Sequence, residues 1–179
     1  CFDCRTRSHY FVSGRGMFVY NDALKKSLFG LKFFKHTWIG KEYGKLLGDY
    51  YTQQKLPDID LIMPIPLHMV RYIDRGFNQA EIIASYLAMS IDKPMYNNYI
   101  KRSKNTKPQK DLSDKQRPLN MLKAFKVNQR HIDKIKNKKI LLVDDIYTTG
   151  ATMDGCAKVL LENGAREVYF LTVAIGDGL

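Results

Sequence analysis

Residues 140–152 of this 179-residue chain are Ile140-Leu141-Leu142-Val143-Asp144-Asp145-Ile146-Tyr147-Thr148-Thr149-Gly150-Ala151-Thr152. The four apolar residues at the start predict a strand buried on both faces, as in a parallel sheet. Two adjacent acids end this apolar run, and a hydroxyl-rich turn with one glycine follows. From residue 152 to 163 apolar residues recur at helical spacing, and Gly164 stands where helices commonly end. The pattern predicts a strand, an acidic loop and a helix.

This unit has the chemical features of a sugar-phosphate site. Ligands of open parallel sheets bind at the carboxyl ends of strands, where we expect Asp144 and Asp145. Backbone N–H groups of residues 148–152, at the start of a helix, can surround an anion, and Gly150 permits a close approach. Carboxylates suit sugar hydroxyls or a magnesium ion with its waters. A ribose 5-phosphate fits both halves of the unit.

Other phosphate motifs do not fit this stretch. A P-loop requires a lysine after its last glycine, and Gly150 is followed by alanine. A dinucleotide fingerprint requires three spaced glycines, and a phospho-receiver domain needs more chain after its acid pair than follows here. The alternative is a strand, turn and helix whose acids are incidental. We favour the phosphate site because strand, acid pair, glycine turn and helix agree.

Residues 143–152 resemble the loop with which type I phosphoribosyltransferases bind 5-phosphoribosyl 1-pyrophosphate (PRPP). The resemblance implies that Asp144 and Asp145 bind the ribose hydroxyls and act in catalysis. It also implies that the 5-phosphate is bound by Thr148, Thr149, Gly150, Ala151 and Thr152.

A second anion site is indicated where another short strand ends. Leu61-Ile62-Met63 predicts a buried strand, and Pro64-Ile65-Pro66-Leu67 predicts a stiff loop after it, because two prolines fix the backbone and lack N–H donors. Arg71 and the segment 75–80 follow, before a helix that extends to about Met89. A stiff loop backed by arginines is suited to a pyrophosphate.

The N-terminal third predicts a hairpin and two helices. Residues 10–20 alternate around Gly14 and Gly16 as in a hairpin. Asn21 or Asp22 can cap a first helix, and a second is expected over residues 39–54. On that second helix the predicted buried residues are Leu46, Leu47 and Tyr50. The lysines and aromatic residues between 25 and 41 are interpreted as a solvated face and core rather than as a surface for single strands.

Residues 101–110 carry five cationic side chains and no apolar one, which predicts an exposed loop. It is either a solvated linker or a lid over a phosphorylated ligand. Residues 124–127 predict an edge strand, and a basic connector follows to residue 139.

Several separated segments together resemble the ComF family, phosphoribosyltransferase-like proteins associated with DNA uptake in competent bacteria. The segments are Pro64-Ile65-Pro66-Leu67, Arg71, Arg75-Gly76-Phe77-Asn78-Gln79-Ala80, Pro108-Gln109-Lys110, Leu112, Arg117, Asn120 and Ala124-Phe125. The resemblance implies that residues 64–67 form the pyrophosphate loop and that residues 107–112, with Lys107, Gln109 and Lys110, close over PRPP. Pro118 departs from the family pattern, because it interrupts a segment that is usually helical.

The spacing of Cys1 and Cys4 is typical of half of a four-cysteine zinc ribbon, and the ComF resemblance also implies such a site. Alternatively they are a chance pair or a redox pair. We therefore expect a zinc-ribbon remnant at residues 1–8 and one phosphoribosyltransferase-like domain at residues 9–179. Cys156 falls on the apolar face of the last predicted helix and is expected to pack there.

The expected fold class is α/β, with a doubly wound, mostly parallel sheet that binds PRPP with Mg²⁺. Three cysteines and the lack of a membrane-length apolar run predict a cytoplasmic protein without membrane insertion. The net charge of +11 suits a polyanionic partner, although a lysine-rich composition alone also produces it.

Two functions stay open at this stage, with a purely regulatory PRPP sensor as a weaker third. The first is a PRPP-binding factor of DNA uptake, with single-stranded DNA and a DNA-uptake helicase as candidate partners. The second is an active phosphoribosyltransferase of nucleobase salvage.

Overall fold

The computed structural model describes residues 7–102 and 124–176 of the chain. Its larger sheet has four strands in the order β1-β6-β5-β2, and every neighbouring pair is parallel. A smaller sheet pairs β3 with β4 in antiparallel orientation. The strands are β1 Ser13–Val19, β2 Leu61–Pro64, β3 Ile100–Arg102, β4 Phe125–Val127, β5 Lys139–Tyr147 and β6 Glu167–Ile175.

Helices lie on both faces of the larger sheet. They are α1 Asp22–Phe33, α2 Thr37–Gln53, α3 Met69–Arg75, α4 Gln79–Ser90 and α5 Ala151–Glu162, with a 3-10 helix at Gln129–Lys134. One apolar cluster joins residues of α5, such as Leu160, to Ile140 and Leu142 of β5. The other joins α1, α2 and α4 to Leu141 and Val143 of the same strand. Because successive side chains of a strand point to opposite faces, β5 supplies both clusters, and the predicted α/β sheet covered on two sides is confirmed.

The predicted hairpin over residues 10–20 is wrong. This segment contains a single strand, β1, which pairs in parallel with β6 from Ser13 opposite Tyr169 to Val19 opposite Ile175. The glycine that suggested a turn serves close packing instead, since a Cβ on Gly14 would lie 2.1 Å from the ring of Phe170. Glycine in a strand interior can mark such a close approach rather than a turn.

The two N-terminal helices are confirmed, but the predicted core position of the aromatic residues between 25 and 41 is wrong, because Phe29, Phe33, Phe34 and Trp38 are 49%, 57%, 65% and 62% exposed. Asn21 caps α1 by accepting a hydrogen bond from the N–H of Leu24 at 2.9 Å. On α2, Leu47 is buried as predicted and Tyr50 is half-buried, but Leu46 is 44% exposed, so its predicted burial is wrong. The inner face of α2 is instead made by glycines, and a Cβ on Gly44 would lie 2.6 Å from the carbonyl oxygen of Ile83. This close approach of α2 to α4 leaves no room for a larger side chain.

The strands predicted at residues 61–63 and 124–127 are present, whereas Lys101 and Arg102, predicted to begin an exposed loop, belong to β3, and the rest of that loop lies outside the described residues. β2 ends at Pro64, β4 matches the predicted edge strand, and the basic connector after β4 contains the 3-10 helix. The last helix is α5, with Asn163 as its C-cap and Gly164 next at φ 91°, as the sequence indicates. Cys156 is fully buried on the inner face of α5. Within the described residues, no helix has the length and apolar character needed to cross a membrane.

Candidate functional site

The acid pair lies within β5, three and two residues before its last residue, Tyr147. The sequence predicts that the acids end the strand, but β5 continues through Tyr147. Asp144 pairs with Thr172, and Tyr147 pairs with Ile175 of the equally long β6. The ring of Tyr147 also stacks on that of Phe170, with centroids 4.5 Å apart. This pairing and stacking extend the strand, and the acids are therefore held on rigid backbone rather than on a loop.

Asp145 is buried, and side chains of α1 and α4 contact it. Its carboxylate forms an ion pair with Lys32 of α1 and accepts a hydrogen bond from Gln79 Nε2 of α4 at 3.3 Å. Burial alone favours the protonated acid, but the Lys32 ammonium and the hydrogen bonds outweigh it and lower the pKa of Asp145. Asp145 is therefore an ionised, fixed carboxylate.

Asp144 has the opposite electrostatic setting. Burial raises the pKa of Asp144 well above its ordinary value, and the negative charge of Asp145 raises it further. Its Oδ1 accepts a hydrogen bond from the Asp145 N–H at 2.9 Å. Two neighbouring carboxyls whose environments push their pKa values apart are typical of sites that bind cations or exchange protons. Asp144 is the member that gains most from a cation or a hydroxyl donor nearby.

The turn after β5 presents N–H groups at the same edge of the sheet. Thr148 and Thr149 are exposed, and Gly150 adopts a left-handed conformation at φ 69° as the N-cap of α5. The first hydrogen bond of this helix runs from the Asp154 N–H to the Gly150 carbonyl at 2.8 Å. The N–H groups of residues 151–153 precede it and have no acceptor within the helix. Together with the helix dipole, these donors are suited to an anion, at the position predicted for the 5-phosphate.

The start of α5 is braced from the N-terminal segment. Asp154 accepts hydrogen bonds from the Tyr10 N–H at 2.9 Å and from the ring of His9 at 2.8 Å. His9 also stacks on Phe11, with centroids 4.5 Å apart. The sequence analysis missed this contact, because the residues are more than 140 positions apart and no local pattern connects them.

The Arg75–Ala80 segment connects the acid pair to the loop after β2. Gly76 ends α3 in a left-handed conformation at φ 84°, and Asn78 begins α4 by capping the N–H of Ala80. Asn78 Nδ2 also donates to the carbonyl of Ile65 at 3.0 Å. Arg75 donates to the side-chain oxygen of Gln79, whose amide reaches Asp145. This segment therefore fixes the position of the acid pair relative to the loop after β2.

The predicted pyrophosphate loop lies beside the acid pair. Pro64 pairs with Val143, and the Ile65 N–H donates to the Val143 carbonyl at 2.9 Å, which places the loop next to Asp144. Ile65 is buried, whereas Pro66 and Leu67 are half-buried. Arg71 follows on α3 and is exposed. A stiff backbone turn and an exposed guanidinium thus stand at the same sheet edge as the acids.

Comparison with known proteins identifies the family. Residues 73–177 match the family described as phosphoribosyl transferase domain. The chain is 34% identical over 143 residues to competence protein F of Haemophilus influenzae, covering 76% of this chain and 61% of the relative. It is 32% identical over 171 residues to competence protein ComFC of Bacillus subtilis, covering 92% and 67%. The chain belongs to the ComF family of phosphoribosyl transferase domain proteins.

Among solved structures, the chain is similar to the glutamine PRPP amidotransferase of B. subtilis. That likeness has 17% identity and a TM-score of 0.48, and it covers 73% of this chain and 25% of the other.

The region that matches the phosphoribosyl transferase domain contains most of the site but not all of it. Asp144, Asp145, the 148–152 turn and Gln79 lie inside residues 73–177. Lys32, the ion-pair partner of Asp145, lies before it on α1. In this ComF-family chain the acid pair is therefore completed by an element outside the matched domain. The sequence analysis missed Lys32, because one lysine among many on a helix gives no signal of a buried partner.

Arg102 is another site residue that the sequence analysis missed. It lies at the end of β3, half-buried, with its guanidinium 5.5 Å from the centroid of the Phe125 ring. Burial lowers the pKa of Arg102, the charge of nearby Arg71 lowers it further, and the charge of Asp144 opposes both. Arg102 lines one cleft with Pro66 and Leu67 of the predicted pyrophosphate loop.

Five predicted site residues lie outside the described residues. They are Cys1 and Cys4 of the predicted zinc site and Lys107, Gln109 and Lys110 of the predicted lid. Within residues 7–102 and 124–176, no group of three or more His, Cys, Asp and Glu side chains could hold a metal ion.

Proposed function

We propose that this domain binds PRPP together with Mg²⁺ at the carboxyl edge of its sheet, and that it does so in DNA uptake during natural competence. One observation supports PRPP as the ligand. A fixed acid pair, an exposed threonine turn and the N-terminus of α5 follow one another at a single sheet edge. A diol-binding group beside an anion site matches a ribose 5-phosphate.

Each part of the site has a role in this proposal. Residues 148–152 bind the 5-phosphate through backbone N–H groups and threonine hydroxyls. Asp144 accepts hydrogen bonds from the ribose hydroxyls, and Asp145 holds the pair in place through Lys32 and Gln79. Arg71 and Arg102, with Lys107, Gln109 and Lys110 from the proposed lid, neutralise the pyrophosphate. Positive charge that develops on the ribose would be stabilised by the nearby carboxylates.

The donor set suits magnesium as part of the ligand complex. Mg²⁺ in such sites takes one or two carboxylates and completes its shell with substrate phosphates and water. Burial and the charge of Asp145 raise the pKa of Asp144, and a cation bound beside this carboxyl would oppose that shift. When bound, the ion would neutralise pyrophosphate charge. For zinc, we propose that Cys1 and Cys4 supply two thiolates of a four-cysteine site.

The biological role is proposed from the relatives. The proteins named competence protein F and ComFC match most of this chain, which favours DNA uptake over nucleobase salvage. The chain spans 61% of the length of the first of these relatives. Its charge of +11 is consistent with single-stranded DNA as a partner, and a DNA-uptake helicase is the proposed protein partner.

Calorimetric titration of PRPP with MgCl₂ tests the ligand. We expect saturable binding by the wild type and at least a tenfold loss for Asp144→Asn, a difference of about 1.4 kcal/mol. Asp49→Asn on α2, an exposed acid away from the site, should bind as the wild type does. Folded wild-type protein that fails to bind PRPP would overturn the proposal. The proposed role in DNA uptake is tested by a chromosomal Asp144→Asn change, which should reduce uptake of labelled DNA. Unchanged uptake would show that PRPP binding is not required for competence.

A further inference from the structure

A cleft of about 520 Å³ lies next to Asp145, between α1, α3 and the end of β5. Its lining residues are Tyr20, Lys25, Leu28, Phe29, Lys32, Phe33, Arg71, Asp74, Arg75 and Ile146. Lys32 belongs to both places, since it lines the cleft and forms the ion pair with Asp145. Ile146 follows Asp145 directly in the strand. A ligand in this cleft would therefore be a neighbour of a ribose bound at the acid pair.

The cleft has an aromatic wall. Phe29 and Phe33 are 49% and 57% exposed, and their ring centroids are 4.5 Å apart. The Arg75 guanidinium lies 5.6 Å from the Phe33 centroid. Exposed rings of this kind stack with planar ligands, and the planar guanidinium group of an arginine can also stack with them. The volume falls within the range of small-molecule sites.

The polar side chains of the cleft are mostly cationic donors. Among the described residues that line the cleft, one acid, Asp74, opposes Lys25, Lys32, Arg71 and Arg75. Ammonium and guanidinium groups donate hydrogen bonds and accept none, so the side-chain acceptors in the lining are Asp74 and the Tyr20 hydroxyl. A neutral nucleobase presents N–H donors that need acceptors. The cleft instead favours a ligand that brings its own acceptors and a negative charge.

We infer that this cleft binds a small aromatic carboxylate, with the ring on Phe29 and Phe33 and the carboxylate among Lys25, Lys32 and Arg71. The inference rests on the proposed PRPP site and names the class of its second ligand. A carboxylate at this position also offers Lys32 a second anionic partner beside Asp145. The aromatic acid would therefore contact Lys32, the side chain that forms the ion pair with Asp145.

Matched pairs of ligands test the inference. Orotate, nicotinate and anthranilate are titrated calorimetrically against uracil, nicotinamide and 2-aminobenzamide, each with and without saturating PRPP and MgCl₂. Members of a pair have similar rings and differ chiefly in the carboxylate. We expect at least one acid to bind at least tenfold more tightly than its neutral counterpart. Equal binding of the two members in every pair, or binding of none, overturns the inference.

Surface variants show whether the cleft is responsible. Lys25 and Lys26 are adjacent exposed lysines of α1, and only Lys25 lines the cleft. We expect Lys25→Gln to weaken the acid about three- to fivefold, as for an exposed ion pair, and Lys26→Gln to leave it unchanged. Likewise Phe33→Leu should weaken binding, whereas Phe34→Leu, outside the cleft, should not. Equal effects of the two lysine variants would place the acid elsewhere.

The outcome separates this inference from the proposed function. PRPP binding is measured in the same samples. If PRPP binds and no aromatic acid does, the cleft inference is wrong and the proposed function stands. If an aromatic acid binds through Lys25 and PRPP does not bind, the proposed function is wrong and the cleft remains an anion site.

Discussion

Gln79 and Asp145 are 66 residues apart in the chain, and a hydrogen bond of 3.3 Å joins the Gln79 amide to the Asp145 carboxylate. Both side chains are buried, at 5% exposure each. Gln79 also accepts a hydrogen bond from Arg75, so it links α3 to the strand that carries the acids. The residue next to it, Asn78, links α4 to the Ile65 carbonyl. Two consecutive amides thus hold the acid pair and the proposed pyrophosphate loop in register.

Gln79→Ala should weaken both the fold and the site. The change leaves a buried carboxylate oxygen and Arg75 each short of one partner, and we expect a loss of about 1–3 kcal/mol in the free energy of unfolding. PRPP affinity should fall as well, because Asp145 loses one of its two anchors. Urea denaturation and calorimetry measure the two effects. Gln53→Ala, at the exposed end of α2, is the control, and a similar result for both variants would argue against the linking role.

Asp144→Asn should stabilise the unliganded domain at neutral pH. The raised pKa of Asp144 means that the folded state binds this proton more tightly than the unfolded state does. The unfolding free energy therefore falls as pH rises from the ordinary carboxyl pKa, about 4, towards the folded value. The amide removes that loss at pH 7, and it keeps the Oδ1 acceptor. We expect the variant to exceed the wild type at pH 7 and to match it near pH 4, in denaturation followed across that interval. A difference in unfolding free energy between variant and wild type that does not change with pH would contradict the raised pKa of Asp144.

The sequence was informative where physical constraints are local. The run 140–143, the two acids, Gly150 and Gly164 lie within 25 positions, and each has a local reason for its place, such as burial, a left-handed φ or a helix end. The strand, turn and helix were therefore predictable. The turn chemistry of Pro64 to Leu67 was predictable for the same reason.

Long-range contacts were not predictable. Lys32 and Gln79 contact Asp145 from α1 and α4, and no spacing rule relates these positions. The error at Gly14 has a similar origin. A glycine that admits the Phe170 ring cannot be told from a turn glycine without knowing that β6 lies beside it. Parallel pairing in particular joins strands that are far apart in sequence.

Lys32→Gln should destabilise the domain in a pH-dependent manner. Asp145 keeps a lowered pKa chiefly through the Lys32 ammonium, so its stabilising effect is present above the ordinary carboxyl pKa and is lost as pH falls. Removing the ammonium leaves a buried, uncompensated carboxylate at pH 7, and we expect a cost of about 2 kcal/mol, below the usual range because Lys32 is partly exposed. Near pH 4 the difference should shrink. Lys26→Gln serves as the control in the same denaturation series, and equal stability of the two variants would show that the ion pair contributes nothing.

Comparing Gly150→Ala with Gly164→Ala distinguishes the effect of backbone strain on stability from an effect on PRPP binding. Both glycines have left-handed backbones, at φ 69° before α5 and φ 91° after it. Alanine is strained in that conformation, so each change should cost about 1–2 kcal/mol in stability. Only Gly150 lies in the turn proposed to surround the 5-phosphate, where a Cβ and a shifted backbone would displace the N–H groups. We therefore expect PRPP affinity to fall at least tenfold for Gly150→Ala and to stay near wild type for Gly164→Ala, measured well below both melting temperatures. Equal affinities would mean that the phosphate does not bind at the start of α5.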